Sequence, residues 1–264
     1  MNTPTLAQAF EGATSHCLIE QWLDGWYPCN PSIASSPNGY AVMITCRDLL
    51  RHDDGTHTFA DAAGTIRTRN FFAPLDEQTL RIVEPLTELA QPDTPIEYSR
   101  VLGVEDPRLY WSDEWRYSGT IAQHHASGEQ RTALCSVANG LQDIAPAPAG
   151  TRVKNLMPTG GMFIDVKAQR DELHGGAVVR YEDGYLGIVH DIIWPGRRYR
   201  HYFARFSGEG TLTNLSAPFT FGGVAIEFAS GITLHQGDVV LSYGVQDKEA
   251  RLARVPLVKV LETL

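Results

Sequence analysis

Almost no stretch of this chain can sustain a helix, and that does most to limit its fold. "TLAQAFEGA" near the start has room for two helical turns. "LDEQTLRIVEPLTELA" has partial helical spacing, but Pro85 interrupts it by removing a donor and clashing with the preceding turn. Elsewhere short apolar runs alternate with polar positions. "YAVMITCRD", "WRYSGTIA", "RTALCSV", "GGMFIDV", "AVVRY", "YLGIVHD", "RYRHYFARFS" and "DVVLSYGV" all read as half- to fully buried strands. "SPNG", "ASGE", "EDG" and "HQGD" supply the turns between them. Many short strands with regular turns predict an all-β sandwich, barrel or propeller.

A weak internal repeat favours the propeller. Five segments share one form, a polar or small cluster, a strand, a tight turn and a second strand. They are "CNPSIASSPNGYAVMITCRD", "GVEDPRLYWSDEWRYSGT", "KNLMPTGGMFIDV", "HGGAVVRYEDGYLGIVHD" and "IEFASGITLHQGDVVLSYGVQD". Two of the intervals between them are about 50 residues, a blade-like period. The first is about 75, leaving room for a loop through "HDDGTHTFADAAGTIRTRN", and the third only about 20, too short for four ordinary strands. The expectation is one five-bladed β-propeller domain over residues 1–264, its third blade abbreviated. In that arrangement the inner strands line a channel, and their polar clusters converge on it.

Composition excludes some partners. The net charge of −9 gives no basic footprint for nucleic acid and opposes anionic membranes. "MNTPTLAQAFEGATSHCLIEQW" lacks the basic start and long apolar core of a signal peptide, and no apolar run approaches a membrane span. Cys17, Cys29, Cys46 and Cys135 are scattered without a CxxC pair and read as reduced thiols of a cytoplasmic protein. Dinucleotide and P-loop fingerprints are absent, and His124-His125 lacks metal-ligand spacing, so neither cofactor nor catalytic metal is expected.

The polar clusters carry the functional signal. In "VLGVEDPRLYWSDEW", Glu105, Asp106 and Arg108 surround Pro107, the make-up of either a charged turn or a site. Asn30 precedes Pro31 as in many turns, and Arg47 ends a strand where a solvated charge would also be at home. Lys154 and Asn155 enter a blade where an inner-strand charge needs a partner. His190 could equally be a core histidine, Tyr243 reads mainly as structural, and Asp247 could cap a turn. Glu227 is the other acid placed on an inner strand and so the default second carboxylate. Arg197, Arg198 and Arg200 form either a solvated loop or a phosphate or nucleotide clamp.

"NPSI" with Arg47, "GVEDPRL", "KNLMP", "YLGIVHD" and "SYGVQD" resemble, in order over residues 30 to 255, the motifs of glycoside hydrolase family 130. That family comprises five-bladed propellers acting on β-mannosides, mostly phosphorylases with some hydrolases, and has sugar-nucleotide-dependent mannosyltransferases as relatives. The resemblance implies that Asp106 is the general acid, donating through a hydroxyl of the bound sugar. It also implies that Asn30, Arg47, Lys154, Asn155, His190 and Asp247 hold the sugar. An acid working near neutral pH needs a raised pKa, which Glu105 or burial would supply, while Arg108 would hold a carboxylate or a hydroxyl. One departure stands out. Phosphorylases of the family carry an arginine soon after the second-blade Thr, where this chain reads Gln123, His124 and His125 after Thr120.

The leading expectation is an inverting glycosidase or phosphorylase acting on a β-linked oligosaccharide, with inorganic phosphate a possible co-substrate. The alternatives are a sugar-nucleotide-dependent glycosyltransferase on the same scaffold and a carbohydrate-binding propeller without turnover.

Overall fold

The computed structural model describes residues 3–19, 23–52, 56–83, 85–90, 101–121, 131–146, 162–164, 169–170 and 172–264. Those residues form an all-β propeller in which four blades are seen. Blade A comprises Tyr27–Ser36, Gly39–Arg47, Ile66–Leu75 and Thr87–Glu88. Blade B comprises Glu105–Trp111, Trp115–Ile121, Arg131–Ser136 and Gly140–Pro146. Blade C runs Gly176–Tyr181, Gly184–Ile193, Arg198–Phe206 and Leu212–Leu215, with Met162–Ile164 paired along the free edge of Gly176–Tyr181. Blade D runs Glu227–His235, Asp238–Val245 and Glu249–Pro256. Its fourth strand is Thr14–Cys17 from the N-terminal end of the chain, so both ends of the sequence share one sheet.

The apolar runs read from the sequence fall within these strands, because alternation buries one side of each sheet against the next blade. One apolar cluster joins blades C and D (Leu186, Phe203, Leu241, Val255), a second joins A and D (Ile44, Phe71, Val240, Leu252), and a third joins A and B (Met43, Leu109, Tyr117). The expected loop after Arg47 is more structured than its composition suggested. Leu49–Arg51 and His57–Phe59 form a small hairpin, and "TIRTRN" opens the third strand of blade A. That strand turns Thr68 and Asn70 inward, where they bond to the backbone carbonyl of Val104, while Arg67 and Arg69 pair with acids at its side. "TLAQAFEGA" yields one short helix, Leu6–Ala9, and Leu257–Leu261 is a helical turn that the sequence reading did not anticipate. The abbreviated third blade expected between Lys154 and Gly175 lies largely outside the described residues, so a count of five is not settled by them.

Inner strands of neighbouring blades meet side by side without continuing a common sheet, so their backbone groups need other partners. Side chains provide them. Ser32 Oγ accepts from Leu109 N at 3.0 Å, joining A to B. Ser242 Oγ accepts from Ile33 N at 3.0 Å and Ser230 Oγ donates to Pro31 O at 2.5 Å, joining D to A. His201 Nε2 accepts from Ala229 N at 3.3 Å, joining C to D.

Near its start, each inner strand of A, B and D carries one residue more than its partner strand, at Asn30-Pro31, Asp106-Pro107 and Ser230. Such bulges bend the strand and re-aim a side chain. Asn30 and Asp106 both adopt left-handed backbone, with φ of 43° and 46°.

Removing one of these bridges strands a buried donor. Ser32→Ala leaves Leu109 N–H without its acceptor and is expected to lower unfolding free energy by about 1–3 kcal/mol, read from urea denaturation. An unchanged midpoint would show that the bridge carries no net stability.

Candidate active site

The bulges bring Asn30 of blade A against Asp106 of blade B across 76 residues of sequence. Asn30 Nδ2 donates to Asp106 Oδ1 at 2.6 Å. Arg47, at the end of the second strand of blade A, reaches the same cluster. Its Nη2 lies 3.2 Å from Asp106 Oδ1 and 3.3 Å from Glu105 Oε1, and its Nη1 is 3.9 Å from Asp247 Oδ1. Arg51, from the small hairpin, holds Asp247 Oδ2 at 3.2 Å. Two arginines and three acids from blades A, B and D therefore share one network, with the Asp106 side chain 42% exposed and Arg47 only 15%. Both contacts to Asp106 use Oδ1; among the described residues Oδ2 has no partner.

The electrostatics differ from the expectation. Burial pushes Asp106 up, but Arg47, Arg108, the Asn30 hydrogen bond and Arg197 together outweigh it and hold the carboxyl below the usual range. Glu105 goes the other way. Burial raises it, the Arg47 charge opposes, and the Asp106 carboxylate adds to the rise. The raised pKa expected at Asp106 is thus found on its neighbour.

Arg108 contacts the backbone of the bulge itself. Its Nη1 donates to the backbone oxygens of Asp106 at 3.1 Å and Pro107 at 3.3 Å, and its guanidinium sits 5.6 Å from the Phe228 ring. It therefore stabilises the strained bulge through its backbone oxygens. Phe228 also meets His190 edge-on at 5.2 Å, and His190 stacks on His174 at 5.3 Å and 17°. Burial lowers the His190 pKa to about 3, with His174 and Arg108 adding to the effect and Asp191 opposing it. His190 is neutral at physiological pH and can donate at one ring nitrogen while accepting at the other.

The remaining expected residues divide. Asp247 joins the cluster. Tyr243 is buried, stacked on Phe221 at 3.8 Å and 8°, which is a packing role. Glu227, expected as the second carboxylate, is 1% exposed, and its oxygens accept from the backbone N–H groups of Phe221 at 2.9 Å, Gly222 at 2.5 Å and Gly223 at 3.4 Å. Burial raises its pKa against those bonds. This geometry anchors the 221–223 loop and leaves no open oxygen for water. Lys154, Asn155, Gln123, His124 and His125 lie outside the described residues.

Of the three arginines read as a loop or clamp, Arg200 is tied to Asp191 and Arg198 is exposed. Arg197 bonds Tyr199 Oη at 3.0 Å and contributes to the field at Asp106. Arg51 went unnoticed because it lies in a polar insertion with no motif around it.

No family model and no curated protein matches this sequence. Solved structures do. β-1,2-Mannobiose phosphorylase from Listeria innocua superposes with a TM-score of 0.64 at 11% identity, over 96% of this chain and 99% of that one. A glycoside hydrolase of the GH130 mannoside phosphorylase family, described as targeting β-1,2 mannosidic linkages in Candida mannan, gives 0.60 at 13% identity, covering 96% of each chain. A GDP-Man-dependent mannosyltransferase from Leishmania mexicana gives 0.55 at 12%, over 92% and 90%. The chain has the fold these proteins share.

The histidines make stability pH-dependent. Folding depresses His190 from 6.5 to about 3, and buried His201 is also lowered, chiefly by burial. Between those values the unfolded chain binds protons that the folded chain does not, so stability falls as pH falls below about 6.5. Urea midpoints measured from pH 7 to pH 4 should drop, and His190→Asn should flatten the slope; equal slopes would show that His190 is not depressed.

Proposed function

We propose that this protein transfers a glycosyl group, a mannosyl group in the leading reading, by cleaving or phosphorolysing a β-linked glycoside with inversion. The observation that carries this reading is the state of Asp106. Oδ1 is fixed by Asn30 and Arg47, while Oδ2 has no described partner on a side chain 42% exposed. A carboxyl so oriented, on a bulge with φ of 46°, is costly to maintain for structure alone. Asn30, Arg47, His190 and Asp247 supply donors and acceptors for sugar hydroxyls, and Lys154 and Asn155 are proposed to join them.

The surroundings of Asp106 favour its ionised form, so bound substrate must change its proton affinity. A sugar ring covering the carboxyl removes its remaining water, and desolvation raises a carboxylate pKa. Proton delivery to the glycosidic oxygen, directly or through a sugar hydroxyl, then becomes favourable only when substrate is bound. Glu105 shares Arg47 Nη2 with Asp106, and its raised pKa makes it the nearest group able to hold a proton in reserve. Glu227 is assigned to the loop instead of to water activation, which favours an anionic or relayed nucleophile over a second carboxylate. The Arg197 charge near Asp106 keeps the sugar-nucleotide reading open as the second alternative. A fifth, abbreviated blade completing the ring belongs to the same proposal; a crystal structure with four blades would overturn it.

The test is a screen of β-mannosides with and without phosphate, alongside sugar nucleotides. With the best donor, Asp106→Asn should lose about 10²–10⁴-fold in kcat while sugar binding is nearly kept. The alkaline limb of the kcat profile should lie at higher pH than that of kcat/KM, since only the former reports the covered carboxyl. Full activity in Asp106→Asn would return "GVEDPRL" to a charged turn.

A further inference from the structure

Asp106, Glu105 and Asp247 compete for one guanidinium. Arg47 Nη2 stands 3.2 Å from Asp106 Oδ1 and 3.3 Å from Glu105 Oε1, whereas its Nη1 stands 3.9 Å from Asp247 Oδ1. The first two are hydrogen bonds; the third is a charge contact too long to be one. Among the described residues the buried Nε–H of Arg47 has no acceptor. The orientation of Arg47 is therefore decided by how the three carboxylates divide it.

A second arginine holds Asp247 back. Arg51 Nη1 donates to Asp247 Oδ2 at 3.2 Å, and the two side chains are only 13% and 19% exposed. Arg51 ends the first strand of the small hairpin, where it pairs with His57. The hairpin is itself tied down: the carboxylate of buried Asp48 accepts from Arg67 N at 2.6 Å and Arg67 Nη1 at 3.2 Å, and its carbonyl accepts from Ala60 N at 3.3 Å. The turn carrying Asp247 is pinned as well, by Gln246 N donating to Ile226 O at 2.8 Å and Lys248 N to Val245 O at 2.9 Å. With both backbones fixed, the Arg51 contact decides where the Asp247 carboxylate points.

Resting on the proposed role of Asp106, we propose that Arg51 is a positioning residue for glycosyl transfer. By holding Asp247 Oδ2 it keeps that carboxylate off Arg47. Arg47 and Asn30 are then left to fix Asp106 Oδ1, which turns Oδ2 to the substrate. A carboxylate freed from Arg51 finds Arg47 already at 3.9 Å. Attraction between opposite charges grows as their separation falls, so Asp247 closes on Arg47 at the expense of Asp106. Arg51 acts through Asp247 and not on the reacting atoms.

The experiment follows the Asp106 carboxyl by carbon NMR in the full chain labelled at aspartate, without sugar, its signal identified by its loss in Asp106→Asn. Arg51→Met should move the titration to higher pH, because burial pushes that carboxyl up and Arg47 is the largest influence holding it down. Arg51→Lys, which keeps the charge, should restore most of the wild-type behaviour. In an Asp247→Asn background Arg51→Met should leave the titration where it is, since the competing carboxylate is gone. An unmoved titration in Arg51→Met overturns the proposal. So does the same shift in both backgrounds, which is what plain loss of a nearby charge gives. Where Arg51→Met does not fold, Arg51→Gln supplies the same comparison. With the best donor of the screen, Arg51→Met should lower kcat about 10–100-fold and change KM less, as a misplaced acid does; a moved titration with unchanged kcat overturns the role in transfer. Full activity in Asp106→Asn overturns the Asp106 reading instead, and the coupling of Arg51 to Arg47 is then decided by the titration alone.

Discussion

Four side-chain hydrogen bonds between neighbouring blades hold the ring together. Blades are separate sheets, so the strand edges facing one another around the channel cannot complete a ladder. Ser32, Ser230, Ser242 and His201 take up backbone groups of the adjacent blade instead. Each replaces a costly unpaired group with a satisfied one, and each fixes the height of one blade relative to the next. Asn30 and Asp106 meet at 2.6 Å because Ser32 and Leu109, a few residues further along the same two strands, are locked in register. The site is therefore a property of the ring and not of any blade.

The same junctions explain the small residues around them. A Cβ on Gly244 would stand 2.8 Å from Asn30 N and 3.0 Å from its Oδ1, so the "SYGVQD" motif needs glycine for Asn30 to occupy its bulge. A Cβ on Gly119 would meet Glu105 O at 2.7 Å, opposite the Asp106 bulge. Close backbone approach, not turn flexibility, fixes both glycines.

Much of this was legible in the sequence, and what escaped did so for identifiable reasons. Period-two alternation marked the strands because one side of each must be buried. "NP" and "DP" read as turns, since local chemistry cannot distinguish a turn from a bulge whose partner strand is distant. Glu227 was placed on an inner strand correctly, yet the three backbone donors that claim it come from a loop that folds back in space. The opening of Ile66–Leu75 was missed because its arginines pair with nearby acids and Thr68 and Asn70 bond to Val104 O, none of which leaves an apolar signal. The pKa order of Glu105 and Asp106 was inverted because Arg47, Arg108 and Arg197 come from three separate strands or turns.

That inversion shapes how the channel responds to pH. His190 and His201 are both held neutral, first by burial. Protonating His190 would set a second cation near Arg108, which the low local dielectric penalises. Cations elsewhere in the cluster belong to arginines, which do not titrate in this range. The Glu105–Asp106 pair shares one guanidinium nitrogen, and its two members are shifted in opposite directions. A proton added there belongs to the pair before it belongs to either residue. In the reaction we propose, the loss of water around Asp106 Oδ2 as sugar fills the channel commits that proton to this oxygen, so substrate occupancy itself arms the acid.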